Sequence, residues 1–170
     1  LKNLHSIYNF PVIFTRTSNV YGPHQQLYRV IPKFIISAKK NKNFFLDGMG
    51  KTKRSFIHIA DVNNALYKIL NKGIVGETYH ISTNKFINLK ELTNEIIALM
   101  KIENKSFLKL SKNDRTGKDK SYLLSSKKIR NKLKWKDQIS LKNGLIDTIN
   151  WVDKNFSIIK KLSLKYKHKK

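Results

Sequence analysis

Apolar and polar residues are grouped along the chain in blocks that predict alternating strands and helices. Residues 12–17 are mostly β-branched or aromatic and are bounded by Pro11 and Ser18, so we expect a strand with mostly buried faces. A helix end, a proline and a buried strand in succession are typical of an α/β unit in a parallel sheet. Ligands of such sheets lie beyond the carboxyl ends of the strands. Residues 18–26 follow this strand without periodicity and are therefore predicted to be a loop at a binding site.

Helical periodicity and cap residues predict the elements that follow. Pro32 is tolerated only in the first turn of a helix, so the helix over residues 30–42 should begin close to Val30. Asp61 is the expected N-cap of the next helix, and Asn88 with Glu91 has the spacing of a capping box. The remaining predictions are strands at residues 44–46, 54–59, 78–82 and 107–110, a tight reversal at 47–50, a polar loop at 113–120, and helices at 126–133 and from 140 onward.

The formal charge of +24 makes a basic module that binds nucleic acid or an anionic surface the alternative hypothesis. The charge comes from 30 Lys and only 5 Arg, beside 17 Asn and 20 Ile, a joint excess of residues with A/T-rich codons. Arg is the preferred residue for planar phosphate recognition. The aromatic residues also lie in apolar strands and helix faces, not among the basic residues as a nucleic-acid module requires. We therefore expect a lysine-rich surface without specific nucleic-acid binding, in which the few arginines are informative.

The sequence lacks the features of disulfides, metal sites, membrane spans and signal peptides. The chain has no cysteine, which excludes disulfides and thiolate metal sites, and no spacing of His, Asp or Glu suggests a metal. No apolar run reaches the roughly 18 residues that a membrane span needs, and no signal-peptide pattern opens the chain. We expect a cytoplasmic protein without a metal and without a membrane partner.

Five short motifs occur in the order and spacing of one protein family. They are Arg16-Thr17-Ser18-Asn19-Val20-Tyr21-Gly22-Pro23, then Ile31-Pro32, then Asp47-Gly48-Met49-Gly50 leading to Arg54-Ser55-Phe56-Ile57-His58-Ile59-Ala60-Asp61-Val62, then Gly76-Glu77-Thr78-Tyr79-His80-Ile81, and Asp114-Arg115-Thr116-Gly117-Lys118. With them the chain resembles the carboxyl-terminal half of an extended short-chain dehydrogenase/reductase of the NAD-dependent nucleotide-sugar 4,6-dehydratases and epimerases. The resemblance runs from about residue 12 to residue 151 and covers most of the chain.

The resemblance implies an α/β fold, the C-terminal part of a Rossmann-like extended SDR fold with a small α+β substrate-binding domain. Residues 1–28 would end the NAD-binding domain, residues 29–156 would be mainly the substrate-binding domain, and residues 157–170 would be a basic, solvated tail. The family's glycine-rich fingerprint and catalytic Tyr-x-x-x-Lys pair lie upstream of these motifs, and Tyr8 has no Lys four residues later. We therefore expect a fragment without catalytic residues, inactive alone, whose NAD is bound mainly by the missing half.

Family positions also suggest which residues hold the substrate, a nucleotide-diphosphate sugar. Asn19 would contact the sugar or a phosphate oxygen, although an Asn that only caps the turn is the alternative. Arg29 with its neighbour Val30, Arg54 and Arg115 would grip the diphosphate, since a guanidinium can donate two hydrogen bonds to one phosphate; ordinary surface arginines are the alternative. His80 would contact the base or ribose, or be a strand histidine satisfied by the backbone.

Ser18 and Val20 would face the cofactor NAD. Val20 replaces a second Asn that dehydratases commonly carry, which favours other branches over a dTDP-glucose 4,6-dehydratase. The complete protein would oxidise the hexose at C4 and then either lose water or epimerise, as a homodimer in nucleotide-sugar and surface-polysaccharide biosynthesis. The basic binding module described above remains the alternative function.

Overall fold

The computed structural model describes residues 1–113, 117 and 119–166 of the chain. Within them, helices and short strands alternate, and four pairs of strands are parallel. The helices are α1 (Lys2–Tyr8), α2 (Val30–Lys39), α3 (Ile59–Lys72), α4 (Leu89–Leu99), α5 (Lys127–Leu133), α6 (Leu141–Lys154) and α7 (Phe156–Ile159). The strands are β1 (Phe14–Thr17), β2 (Asn19–Tyr21), β3 (Phe44–Leu46), β4 (Lys53–Arg54), β5 (Phe56–His58), β6 (Thr78–Ile81), β7 (Ile87–Asn88), β8 (Leu108–Leu110) and β9 (Ser121–Tyr122). A 3-10 turn spans Asp47–Gly50.

The strands form four small sheets. β1 pairs with β6 from Phe14 opposite Thr78, β2 pairs with β5 from Asn19 opposite Phe56, and β3 pairs with β8. β4 lies between β7, to which it is antiparallel, and β9, to which it is parallel. The parallel pairs with helical crossovers agree with the α/β class predicted from the sequence.

Two apolar clusters form the core. The larger one packs α2, α4 and α6 around side chains such as Phe34, Ile96 and Leu145, all of which are fully buried. The smaller one lies between α3, α5 and β6, around Tyr79 and Trp135. β2 and β5 run between the two clusters, since Tyr21 and Phe56 belong to the first and Ile57 belongs to the second. The end of β2 is therefore fixed from both sides.

Several predicted helix boundaries and turns are confirmed. Helix α2 begins at Val30 and carries Pro32 in its first turn. Asn88 and Glu91 form the predicted capping box, in which the Glu91 N–H donates to Asn88 Oδ1 at 2.8 Å and the Asn88 N–H donates to Glu91 Oε2 at 3.2 Å. The reversal at residues 47–50 has positive φ at Gly48, Met49 and Gly50.

The boundaries near residue 60 were predicted incorrectly. The expected strand over residues 54–59 is divided at Ser55, because β4 joins the sheet with β7 and β9 whereas β5 pairs with β2. The next helix begins at Ile59, and its N-cap is His58, three residues before the expected cap at Asp61. Asp61 is instead buried, and its carboxylate accepts hydrogen bonds from the segment before α6.

Three further segments differ from their predictions. Residues 18–26 are not a loop throughout, because β2 lies within them. β1 is not buried on both faces: Thr15 and Arg16 are exposed, and within the described residues β6 is its one neighbouring strand. The end of the chain is not simply solvated up to residue 166, because Ile159 is buried and Leu164 packs against the larger core cluster.

Candidate functional site

A cavity of about 900 Å³ opens where β2 ends and α2 begins. Its walls are the segment from Thr17 to Ile31, the strand β3, and residues around Thr52 and Arg54. Cavities of roughly 300–1,000 Å³ are typical of small-molecule sites. The cavity lies beyond the carboxyl end of a parallel strand, which is where α/β sheets bind their ligands.

The wall formed by the β2 segment presents two polar atoms without a partner. The Ser18 hydroxyl and the Gln25 Oε1 atom are buried and accept or donate no hydrogen bond within the described residues. Gln25 Nε2 donates to the Val20 carbonyl at 2.6 Å, which fixes the amide so that its oxygen is the atom left over. A buried polar group without a partner costs free energy unless a ligand or water completes it. Both residues line the cavity and can pair with polar ligand atoms.

The turn after β2 is held from behind by Tyr21 and His58. Their rings meet edge to face at 5.5 Å, and the Tyr21 hydroxyl donates to the Leu141 carbonyl at 3.2 Å. Burial, and secondarily the carboxylates of Asp61, Glu95 and Asp147, raises the pKa of Tyr21 far above its ordinary value, so its hydroxyl stays protonated at neutral pH. Tyr21 therefore supports the wall as a hydrogen-bond donor and is not poised as a base.

His58 connects this wall to α6. Its Nδ1 accepts the Ala60 N–H at 3.4 Å, and its Nε2 lies 3.3 Å from Asp147 Oδ2 without hydrogen-bond geometry. A Cβ atom at Gly22 would lie 3.1 Å from His58 Nε2 and 2.8 Å from a methyl of Ile59. Gly22 also has φ of +144°, so the turn requires glycine both for its backbone and for its contact with His58.

The wall formed by α2 offers backbone donors and a guanidinium. Val30 and Ile31 are the first two residues of the helix, where backbone N–H groups have no acceptor within the helix and the helix dipole favours an anion. Arg29 is the N-cap residue and is exposed. Its guanidinium lies 5.2 Å from the centre of the Tyr28 ring, a cation–π contact that supports it at the rim of the cavity.

Arg54 also lines the cavity and is held in place by the backbone. Its Nη1 donates to the Lys53 carbonyl and its Nη2 donates to the Asp119 carbonyl, both at 2.8 Å. A guanidinium fixed in this way loses less conformational entropy when it binds an anion than a free one does. Among the lining residues, Arg29, Lys33 and Arg54 are cationic and Asp47 is acidic, so the cavity favours an anionic ligand.

Six of the eight predicted site residues line this cavity, although they are far apart in sequence. They are Ser18, Asn19, Val20, Arg29, Val30 and Arg54. His80 does not line it; it is half-buried in β6 and pairs in register with Arg16. Arg115 lies outside the described residues. Its role as a contact to the base or ribose stays a prediction.

Sequence reasoning missed Gln25, Tyr28 and Thr52, which also line the cavity. One feature of the sequence could have indicated Gln25 as a site residue, namely its position two residues after Pro23 in the segment predicted to be a binding loop. Tyr28 and Thr52 gave none, because their importance depends on neighbours from other segments.

Within the described part of the chain, no group of three or more His, Asp or Glu side chains could hold a metal ion. No helix of that part is long and apolar enough to cross a membrane.

The spacing Tyr-x-x-x-Lys does occur once in the sequence, at Tyr166 and Lys170. It follows the family motifs, whereas the family's catalytic pair precedes them. Lys170 lies outside the described residues, and Tyr166 packs against Tyr28. We assign this pair no catalytic role.

Comparison with known proteins gives one consistent result. Residues 1–148 match the family model described as GDP-mannose 4,6 dehydratase. A dTDP-D-glucose 4,6-dehydratase of Mus musculus is 40% identical over 153 residues, which are 88% of this chain and 43% of the relative. Val20 therefore does not separate this chain from relatives of that name.

Solved structures agree in fold. A dTDP-glucose 4,6-dehydratase from Bacillus anthracis in complex with NAD superposes with a TM-score of 0.86 at 32% identity, over 96% of this chain and 51% of that one. The Bordetella bronchiseptica enzyme WbmF in complex with NAD+ and UDP gives a TM-score of 0.80 at 25% identity, over 94% of this chain and 50% of that one. The chain thus spans about half the length of the relatives it matches.

Proposed function

The chain belongs to the GDP-mannose 4,6-dehydratase family of NAD-dependent sugar-nucleotide enzymes, and on that premise we propose that it is the substrate-binding portion of a nucleotide-sugar 4,6-dehydratase or epimerase. It would grip the nucleotide diphosphate and orient the sugar for oxidation at C4. The whole protein would act in nucleotide-sugar biosynthesis that supplies surface polysaccharide. This portion would be inactive alone.

The observation that carries the proposal is the cavity shared by Asn19, Arg29 and Arg54. Two guanidinium groups that line one cavity suit the two phosphates of a diphosphate, since each can donate paired hydrogen bonds. The Asn19 amide can both donate and accept, which suits a sugar hydroxyl or a phosphate oxygen. The N–H groups of Val30 and Ile31 add donors at the start of α2.

NAD fits the residues predicted to face it. The Ser18 hydroxyl is buried, lacks a partner and lines the cavity, so it can complete a hydrogen bond to a polar cofactor group. Val20 beside it offers an apolar contact. When bound, NAD supplies the hydride acceptor for the C4 oxidation. We infer that most contacts with NAD come from the part of the relatives' length that this chain does not span.

Substrate grip and cofactor binding can be separated by one substitution in the complete enzyme. Arg54→Ala should weaken nucleotide-sugar binding by about tenfold to a hundredfold, because hydrogen bonds to a charged group are lost, while NAD affinity stays unchanged. Arg16→Ala is the matched control, since Arg16 is exposed and does not line the cavity. Calorimetry measures both affinities. An unchanged affinity for the nucleotide sugar would refute the role of Arg54.

A further inference from the structure

The end of the chain returns to the candidate site along α2. The Lys160 carbonyl accepts a hydrogen bond from Lys40 Nζ at 2.8 Å, just beyond the carboxyl end of α2. Six residues later the ring of Tyr166 meets the ring of Tyr28 edge to face at 5.1 Å, just before the amino end of the same helix. We call residues 160–166 the C-terminal strap.

The strap is long enough to reach from one end of α2 to the other. A helix of ten residues such as α2 is about 15 Å long, and six extended residues reach at most about 20 Å. The contacts of Lys160 with Lys40 and of Tyr166 with Tyr28, at opposite ends of α2, show that the strap runs antiparallel to that helix. Leu164 packs against the larger core cluster on the way. A salt bridge of 2.8 Å between Lys39 and Asp153 holds the carboxyl end of α6 against the same end of α2.

The strap lies beyond residue 148, where the match to the family model ends. It nevertheless reaches the rim of the cavity, because Tyr28 lines the cavity and supports the Arg29 guanidinium. Tyr28 thus has Tyr166 on one side and Arg29 on another. Removing Tyr166 would free the Tyr28 ring to leave its position, and the exposed Arg29 would lose the surface that limits its conformations.

We propose that Tyr166 is a positioning residue, which holds Tyr28 and through it Arg29 at the rim, so that the C-terminal strap sets the affinity of the cavity for a nucleoside diphosphate. The identity of the ligand, a nucleoside diphosphate, rests on the proposed function. The contact between Tyr166 and Tyr28 does not. Tyr166 acts through Arg29 and does not itself touch the diphosphate.

The test uses the whole 170-residue chain and two measurements. Hydrogen exchange of the backbone at residues 27–33 reports the contact without any ligand, and calorimetry with UDP, TDP and uridine reports binding. Tyr166→Ala should raise exchange there severalfold and raise the dissociation constants of UDP and TDP about threefold to tenfold. Uridine, which lacks the diphosphate, should bind Tyr166→Ala and the unmodified chain alike.

Three controls isolate the contact. Tyr166→Phe keeps the ring and should restore both readouts. Tyr67→Ala removes an exposed tyrosine of α3 that does not line the cavity and should change neither. In an Arg29→Ala background, Tyr166→Ala should cause little further loss of UDP affinity, because the residue through which it acts is gone.

Each result decides between the proposals. Unchanged exchange at residues 27–33 in Tyr166→Ala overturns the strap, whether or not nucleotides bind. Raised exchange with unchanged UDP and TDP affinity overturns its role in binding, and so does an equal loss for uridine. The unmodified chain could also bind neither UDP nor TDP while Tyr166→Ala still raises exchange at residues 27–33. That result supports the contact made by the strap and counts against the proposed function.

Discussion

The Tyr21 hydroxyl lies directly over Gly144, where a Cβ atom would be 2.2 Å from that oxygen. Gly144 is in the first turns of α6, and Tyr21 closes β2 at the wall of the cavity. Because Gly144 has no side chain, α6 can approach β2, the strand that leads into the site. The same Cβ would be 3.0 Å from the His58 ring, so two supports of the wall depend on one glycine.

Gly144→Ala should destabilise the protein although alanine is the better helix former. Alanine in a helix gains about 1 kcal/mol over glycine, but overpacking a buried contact costs about 1–3 kcal/mol, so the net free energy of unfolding should fall. Urea unfolding measures it. Asn143→Ala, at the exposed neighbouring position of α6, should be neutral or stabilising.

The cause of that loss can be tested by relieving the contact. Tyr21→Phe removes the hydroxyl that a Cβ at Gly144 would meet, so Gly144→Ala should cost less in a Tyr21→Phe background than alone. Equal costs in both backgrounds would mean that the hydroxyl is not the obstacle.

Asp61 fastens α3 to the segment that leads into α6. Its carboxylate accepts the N–H of Gln138 at 2.8 Å and the N–H of Ile139 at 3.0 Å, and the residue is 3% exposed. Asp61→Ala would leave two backbone donors unsatisfied, at about 1–3 kcal/mol each. We expect a loss of about 2–6 kcal/mol in the free energy of unfolding, measured in urea. Asn64→Ala, exposed on the same helix, should change it by no more than about 0.5 kcal/mol. A loss no larger than that of the control would contradict the role of Asp61.

Local rules predicted the elements that depend on neighbouring residues alone. Pro32 fixed the start of α2, because proline is tolerated only in a first turn. The capping box at Asn88 and Glu91 formed because both partners lie within four residues. The arginines and Asn19 could be assigned to one site only through the order of the family motifs, yet three of them do line one cavity.

Elements that depend on distant partners were not predictable. Ser55 divides a strand that looks continuous, because the residues before it pair with β7 and β9 and the residues after it pair with β2. Ser55 is fully buried, and its hydroxyl lies 3.1 Å from that of Ser82, a contact across 27 positions. Asp61 looked like a cap because no local feature shows that residues 138 and 139 supply its donors. The C-terminal strap has no apolar periodicity, so only the fold reveals its course.

Asp137 gives the fold a defined acid dependence. Partial burial raises the pKa of its carboxyl, but hydrogen bonds from Arg130 and Thr83 and the charge of Arg130 outweigh this and lower the pKa below its ordinary value. Arg130 also donates to the Ser82 carbonyl at 3.0 Å, so the pair holds the end of β6. Because the folded pKa is the lower one, the stabilisation is complete above the unfolded value of about 3.9 and is lost as the pH falls through the folded value.

With Asp137→Asn, the free energy of unfolding should therefore fall less on acidification than it does in the unmodified chain. The variant should be less stable than the unmodified chain at pH 6, and the difference should shrink as the pH falls below about 4. Urea unfolding at several pH values measures it. Asp153→Asn is the control on the surface, since the Asp153 side chain is about half exposed and pairs with Lys39. A difference that stays constant from pH 6 to pH 3 would show that the Asp137 charge is not responsible.

The net charge of +24 should produce weak and easily screened binding to polyanions. Thirty lysines on a solvated surface attract phosphates without base contacts or stacking, and such attraction falls steeply with ionic strength. The chain should therefore leave a heparin or DNA column near physiological salt. UDP bound in the cavity, where Arg54 is fixed by two carbonyls, should survive higher salt than DNA does. Retention on DNA well above physiological ionic strength would instead favour the basic binding module.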